Sequence, residues 1–298
     1  MRVGMVILPE YRWWAAEDKW RAVERYGFDH AWTYDHIGWR DLVDGPWFGA
    51  VPTLTAAATV TERIRLGTFV ASPHFRHPVQ FAREITALDD ISDGRFLLGV
   101  GTGARQGFDT EVLGSPPLSD RELVDRFGEF LELLDAVLTH DRTNWQGTYY
   151  TAVDARSAPG SVHRPRVPFV VAGNGPRSIR LAARFGQGWA TTGPRTEDEG
   201  EWWAGVAERA DRLATAMADA DRAAHTVRRY LSLDSSPRYS MSSVSCFADM
   251  VGKAADLGFT DVVAHWPRTD GYFAGRESVV EDVAADVLPT LPGHTHAR

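Results

Sequence analysis

Short, continuously apolar runs alternate along this chain with longer stretches whose apolar positions recur every three or four residues. Residues 3–8 form the first such run, ending at Pro9. A helical stretch follows over about 16–26, and Gly27 closes it. Further strands are predicted at 30–34, 64–71, 95–100, 167–171, 188–192, 227–233 and 262–266. Helices are predicted at 52–61, 78–91, 176–185, 199–220, 244–257 and 277–288. Another helix starts at Ser119, where Ser119 and Glu122 have the spacing of a capping box. It places Leu123, Phe127, Phe130, Leu131, Leu134 and Leu138 on one face.

Strands that are apolar throughout belong to a parallel sheet buried on both faces. Eight strand–helix pairs imply that the sheet closes, giving an α/β chain with a (β/α)8 TIM barrel. An open doubly wound sheet usually has five or six strands. A single domain over residues 1–298 is expected, with an insertion at about 143–166 between the fourth helix and the fifth strand.

Composition narrows the partners. The formal net charge of −8 disfavours nucleic acid, which demands a basic face. No run approaches the roughly 20 apolar residues of a membrane span, and no signal-peptide core is evident. With one cysteine, Cys246, a disulfide framework and a cysteine zinc site are excluded, and a cytoplasmic protein is expected.

In such barrels the chemistry sits at the C-terminal ends of the strands. After the second strand stand Tyr34, Asp35 and His36, followed by Trp39, Trp47 and Phe48. A carboxylate beside an imidazole can hold a cofactor hydroxyl and move a proton near neutral pH. It can equally be an Asp capping loop amides beside a surface His. After the third strand come Phe69, Val70 and Ala71, which also read as a plain apolar strand end. After the fourth, Gly99-Val100-Gly101-Thr102-Gly103-Ala104 formally matches a dinucleotide fingerprint, but no acid-ended strand follows at the required distance. Its glycines would allow a flat or anionic ligand close to the backbone. After the fifth, Ala172-Gly173-Asn174-Gly175-Pro176 leads into a helix whose free amides suit a phosphate, with Arg177 and Ser178 adding bonds. His74 and His77, with Asp35, His36 and His265, raise a metal hydrolase, but they sit on loops, and no metal is expected.

Several phrases together resemble the luciferase-like monooxygenase superfamily in order and spacing. They are Leu66-Gly67-Thr68-Phe69-Val70, Arg76-His77-Pro78, Ala87-Leu88-Asp89 to Gly94-Arg95, Gly99 to Gly103, and Ala172 to Pro176 with Gly186-Gln187-Gly188-Trp189. The resemblance covers about residues 1–270. Asp35-His36 looks like the branch that uses coenzyme F420, a 5-deazaflavin, where this pair faces the ring. The resemblance further implies a cis peptide at Phe69–Val70 behind the ring. It implies a cofactor site of Asp35, Phe69, Val70, Ala71, Gly101, Thr102, Gly103, Ala172, Gly173, Asn174, Gly175 and Pro176.

One departure is plain. Sugar-phosphate dehydrogenases of that branch carry a glutamate after Gly-Thr-Gly and use lysines for the phosphate. Here Ala104 takes the first place, and Lys19 and Lys253 are the only lysines. A small, more apolar organic substrate is therefore expected, touching Trp39 and Trp47. His36 is the expected proton donor or acceptor, and Asp35 would orient it or bind the coenzyme. A homodimer is expected too. The alternatives are an FMN-dependent monooxygenase supplied by a separate flavin reductase, and a non-catalytic flavin-binding paralogue.

Overall fold

The computed structural model describes residues 1–292, so the last six residues of the expected single domain lie outside the described residues. The chain runs β1 (Arg2–Val6), α1 (Trp13–Arg25), β2 (His30–Thr33), α2 (Ala50–Val60), β3 (Arg65–Thr68) and α3 (Pro78–Ile91). Next come β4 (Phe96–Val100), the single turn α4 (Phe108–Glu111), α5 (Asp120–Thr139), β5 (Arg142–Gln146), β6 (Thr151–Arg156) and β7 (Phe169–Ala172). The rest is α6 (Pro176–Phe185), β8 (Gly188–Thr191), α7 (Glu199–Asp219), β9 (Arg228–Ser232), α8 (Val244–Asp256), β10 (Asp261–His265) and α9 (Glu277–Asp286).

Eight strands close into a parallel barrel in the order β1-β10-β9-β8-β7-β4-β3-β2, the architecture expected from the pattern. Two elements were not anticipated. The insertion holds an antiparallel hairpin, β5 with β6, paired from Arg142–Arg156 to Gln146–Thr151. Its strands are short and largely polar, so no apolar run marked them. The other is α4, too short for any periodicity to show.

Apolar side chains fill both sides of the sheet. Inside, Val6, Trp32, Leu97, Val170, Tyr230 and Val263 plug the barrel. Outside, α5 shows how a helix is held. Its Ser119 side chain accepts from the Glu122 amide while Glu122 reaches back to Ser119, contributing about 1 kcal/mol. Leu123, Phe127, Phe130, Leu134 and Leu138 then bury one face, each worth about 1.5–3 kcal/mol. Among the described residues no helix is long and apolar enough to cross a membrane.

Closure is clamped at the floor of the barrel. Arg2 on β1 donates to both carboxylate oxygens of Asp261 on β10, at 2.7 and 2.8 Å. His30 on β2 brings Nε2 to 3.3 Å from the same carboxylate. Its Nδ1 accepts from the Trp32 indole at 2.6 Å, so Nε2 carries the proton. Gly4 makes this possible, since a Cβ there would lie 1.8 Å from the His30 ring. Burial alone would raise the Asp261 carboxyl, but Arg2 and His30 hold it well below the usual carboxylate range.

A carboxyl depressed in the folded state stabilises above its unfolded value of about 3.9, and that stability is lost as pH falls through the folded value. Asp261→Asn should therefore cost about 3–5 kcal/mol at pH 7, because Arg2 and His30 lose their buried counter-charge. In urea titrations the gap to wild type should begin to narrow below about pH 4, where the unfolded carboxyl takes up a proton while the native carboxylate still resists it. A gap that is small, or unchanged down to pH 3, would place the closure elsewhere.

Candidate active site

The mouth of the barrel is built first from the end of β2. Tyr34, Asp35 and His36 follow Thr33, whose hydroxyl donates to the Ile7 carbonyl at 2.7 Å and fixes where the strand stops. From there Tyr34 and His36 pack edge-on, with ring centroids 5.8 Å apart, while Asp35 turns away. His36 faces the cavity, with Nδ1 at 2.5 Å from an Asp109 oxygen. The other Asp109 oxygen accepts from the amides of Ile37 at 2.7 Å and Gly38 at 3.4 Å. Burial works to raise the Asp109 carboxyl, but His36 and these amides hold it below its ordinary value. A carboxylate there assigns the proton to His36 Nδ1 and leaves Nε2 as the working atom.

That geometry corrects an expectation. Asp35 does not orient His36. Its carboxylate is buried and takes two bonds from Arg76, at 2.6 and 2.7 Å. Arg76 also reaches Glu84 at 2.6 Å and lies over the Phe81 ring, 4.3 Å from its centroid. Burial would lower the Arg76 guanidinium, but the two carboxylates more than offset that, and it stays charged. Asp35 is thus a fixed strut under the mouth. Asp109, the residue that does hold His36, lies on α4; the only sequence signal was an acid in the loop after the fourth strand.

The aromatic residues also divide. Trp39 lines the opening, packing edge-on to Tyr34 and Tyr272 and roughly parallel to Phe273. Trp47 lines none of the cavities found at the mouth. Its indole instead donates to the His36 carbonyl at 2.8 Å, bracing the backbone that carries the imidazole.

At the end of β3 the Phe69–Val70 peptide is cis. Ala71 continues the ladder, donating to Gly99 and accepting from Gly101, both at 2.8 Å. The neighbouring glycines serve this bulge. A Cβ on Gly99 would lie 1.9 Å from the Thr68 carbonyl, and one on Gly101 would meet Val70 at 3.0 Å. Gly103 has a positive φ, +74°, and a Cβ there would lie 2.2 Å from His74 Nε2. The missing side chains of these glycines make room for Thr68, Val70 and His74. The Thr102 hydroxyl donates to the Gly103 carbonyl at 3.0 Å.

After β7, Ala172 and Gly173 lie beside the Phe69–Val70 bulge. Asn174 spans to β8, accepting from Thr191 at 2.6 Å and donating to Thr192 at 2.7 Å. Gly175 caps α6, and Pro176 is its first residue. Arg177 and Ser178 are already engaged: Arg177 pairs with Asp125, and the Ser178 hydroxyl donates to the Gly175 carbonyl at 3.0 Å. What remains free is the amide edge of α6, open to a shallow cavity beside Asp120 and Arg121.

These residues enclose a slot of about 180 Å³ floored by Phe69 and Val70 and walled by Ala172, Gly173 and Ala190. Small walls on an apolar floor suit a flat ring. A wider opening of about 370 Å³ adjoins at His36, lined by His74, Ala104 and Asp109. Among the described residues the buried His74 Nε2 and Ser72 hydroxyl have no partner, the kind of orphan a bound molecule satisfies. Burial, then Arg126, lowers the His74 imidazole, so it is neutral near pH 7. On a third side lies an opening of about 640 Å³, where Tyr34, His265 and Asp234 share one wall.

A family model described as luciferase-like monooxygenase matches residues 1–264. A Beutenbergia cavernae protein described as an F420-dependent glucose-6-phosphate dehydrogenase is 39% identical over 57% of this chain and 49% of its own length. The match thus spans about half of that relative. One of the same description from Intrasporangium calvum is 28% identical over 91% of this chain and 92% of its own. Among solved structures, an F420-dependent secondary alcohol dehydrogenase superposes with a TM-score of 0.78 at 16% identity, covering 97% and 98% of the two chains.

The glycine pair at α6 gives a test. A Cβ at Gly173 would meet Ser178 at 2.8 Å, whereas at Gly175 the nearest atom is 3.9 Å away. Gly173→Ala should lower the melting temperature by several degrees and Gly175→Ala by about a degree or less. Equal shifts in calorimetry would contradict the packing described.

Proposed function

The chain belongs to the luciferase-like monooxygenase family, and within it we propose a coenzyme F420-dependent oxidoreductase that passes a hydride between the deazaflavin and a small organic substrate. The observation that carries this reading is the pairing of a flat, small-walled slot with a carboxylate-held imidazole at its edge. The F420-dependent relatives supply the coenzyme, and the slot is compatible with its tricyclic ring.

When bound, the deazaflavin supplies the carbon that gives or takes the hydride. The residues of this chain would do the rest. Phe69, Val70, Ala71 and Ala172 would back the ring, and the Gly173–Pro176 turn with the first amides of α6 would receive the phosphate. Gly101, Thr102 and Gly103 would act by holding the bulge in place, and Asp35 by fixing the start of the loop through Arg76. His36, oriented by Asp109, would hold or move a proton at Nε2. Trp39 would border the substrate, and Trp47 would act through the His36 backbone.

A sugar phosphate, the substrate named for the relatives, is a poor match. Ala104 removes the acid expected after Gly-Thr-Gly, and no lysine lines the openings at the mouth. The site suits a smaller, less charged molecule.

Two measurements test this reading. The deazaflavin should bind at least tenfold more tightly than FMN, a gap of about 1.4 kcal/mol in side-by-side titrations. Equal affinity, or tighter FMN, would turn the reading to an FMN-dependent monooxygenase. His36→Ala should lower saturated turnover by about 100-fold while the coenzyme dissociation constant changes little. If affinity falls and turnover survives, His36 only packs against the ring.

A further inference from the structure

A second proton-handling group stands beside His36, with the Tyr34 and His36 ring centroids 5.8 Å apart. The Tyr34 hydroxyl, at the end of β2, lies 2.8 Å from His265 Nε2, at the end of β10. His265 Nδ1 lies 3.0 Å from Asp234 Oδ2, just after β9, and the same oxygen accepts the His265 amide at 2.6 Å. The other Asp234 oxygen accepts from the Ser240 amide at 2.8 Å. His265 and Asp234 are almost wholly buried, and Phe273 stacks on the imidazole with centroids 3.8 Å apart.

The order of donors follows from the carboxylate. Asp234 can only accept, so His265 Nδ1 carries the proton and Nε2 accepts from the Tyr34 hydroxyl. Tyr34 then keeps lone pairs free, and its ring borders both the slot and the 640 Å³ opening. Nothing about barrel stability calls for such a chain. A phenol, an imidazole and a carboxylate in line are costly to bury and pack no better than apolar residues would.

We propose that Tyr34 is the catalytic residue at the substrate's oxygen and that His265 and Asp234 position it and hold its proton. The substrate is then an alcohol in its reduced form and an aldehyde or ketone in its oxidised form. This rests on the deazaflavin reading above. In oxidation the carbinol C–H bond breaks with its electron pair going to the deazaflavin as hydride. The O–H proton passes to Tyr34 while the phenol's own proton moves to His265 Nε2, and Asp234 faces the imidazolium. The carbon–oxygen double bond forms, and the substrate loses two electrons that the deazaflavin gains. Reduction is the reverse, with His265 returning the proton through Tyr34 to the alkoxide. The reduced deazaflavin also needs a ring proton, which leaves His36, whose ring packs edge-on beside Tyr34, with a separate task.

The relay is tested without coenzyme by nitrogen NMR of histidine-labelled protein. His265 should be protonated at Nδ1, and Tyr34→Phe should move its Nε2 resonance. Asp234→Asn should switch it to the Nε2–H tautomer. A wild-type His265 protonated at Nε2, or one unmoved by Tyr34→Phe, overturns the relay.

The substrate class is tested with reduced deazaflavin and a carbonyl panel that includes 2-cyclohexenone. Wild type should form 2-cyclohexenol, and Tyr34→Phe should lose about 100-fold in turnover with coenzyme affinity within twofold of wild type. Asp234→Asn should lower turnover with KM unchanged. Formation of cyclohexanone, or no alcohol from any carbonyl while the coenzyme binds, overturns the assignment. Coenzyme that fails to bind sinks the deazaflavin reading instead, and the tautomer measurement still decides the relay.

Discussion

Closure of the sheet is the constraint from which the site follows. β1 is paired with β2 on one side and β10 on the other, so the first and last strands of the barrel become neighbours. Each strand has only four or five residues, too few to persist alone. They hold because every ladder is completed by the next and both faces are packed. Tyr34 and His265 stand 231 residues apart, yet bond at 2.8 Å because their strands end on the same rim. An open sheet would leave those groups on opposite edges. The Arg2–Asp261–His30 cluster ties β1, β2 and β10 together at the opposite end, so the floor and the rim depend on the same seam.

Charges at the rim are held by partners before any ligand arrives. Asp35 is fixed by Arg76, Asp109 by an imidazole and amides, and Asp234 by an imidazole and amides. A buried carboxylate without such partners would protonate or drag its loop toward water. Because each is satisfied, the imidazoles and the phenol can present one defined atom to the cavity. That is preorganisation in the electrostatic sense: the dipoles are already aligned, and no reorientation is needed as charge develops.

Much of this was legible in the sequence. The strand and helix periods located all eight barrel strands, and Ser119 with Glu122 marked the start of α5 as the structure shows it. The turn Ala172 to Pro176 also fell where a helix begins at a strand's end. What could not be read were contacts set by closure. Asp35 and His36 are adjacent in the chain but point apart, because consecutive residues leaving a strand face opposite sides. The partner of His36 lies 73 residues on, in a helical turn of four residues that leaves no periodic trace. Asp234 and His265 belong to different strand ends, and only the barrel order brings them together. The glycines after β4 were read as a ligand approach, yet their missing side chains make room for Thr68, Val70 and His74.

Two imidazole–carboxylate pairs therefore stand at the mouth, His36 with Asp109 at the 370 Å³ opening and His265 with Asp234 at the 640 Å³ one. Each pair sets its carboxylate back behind an imidazole. Two exposed arginines, Arg40 and Arg195, border both openings. Arg40 rests over Trp39 and Tyr272, 4.4 and 4.6 Å from the ring centroids. Its backbone has a positive φ of 52°, a conformation that costs about a kilocalorie or more for a residue other than glycine. The aromatic stack recovers part of that cost through cation–π contact. Polarity at the rim is presented at two defined atoms, His36 Nε2 and the Tyr34 oxygen. A molecule entering such a site is sorted by where its own proton-bearing atom falls relative to those two points.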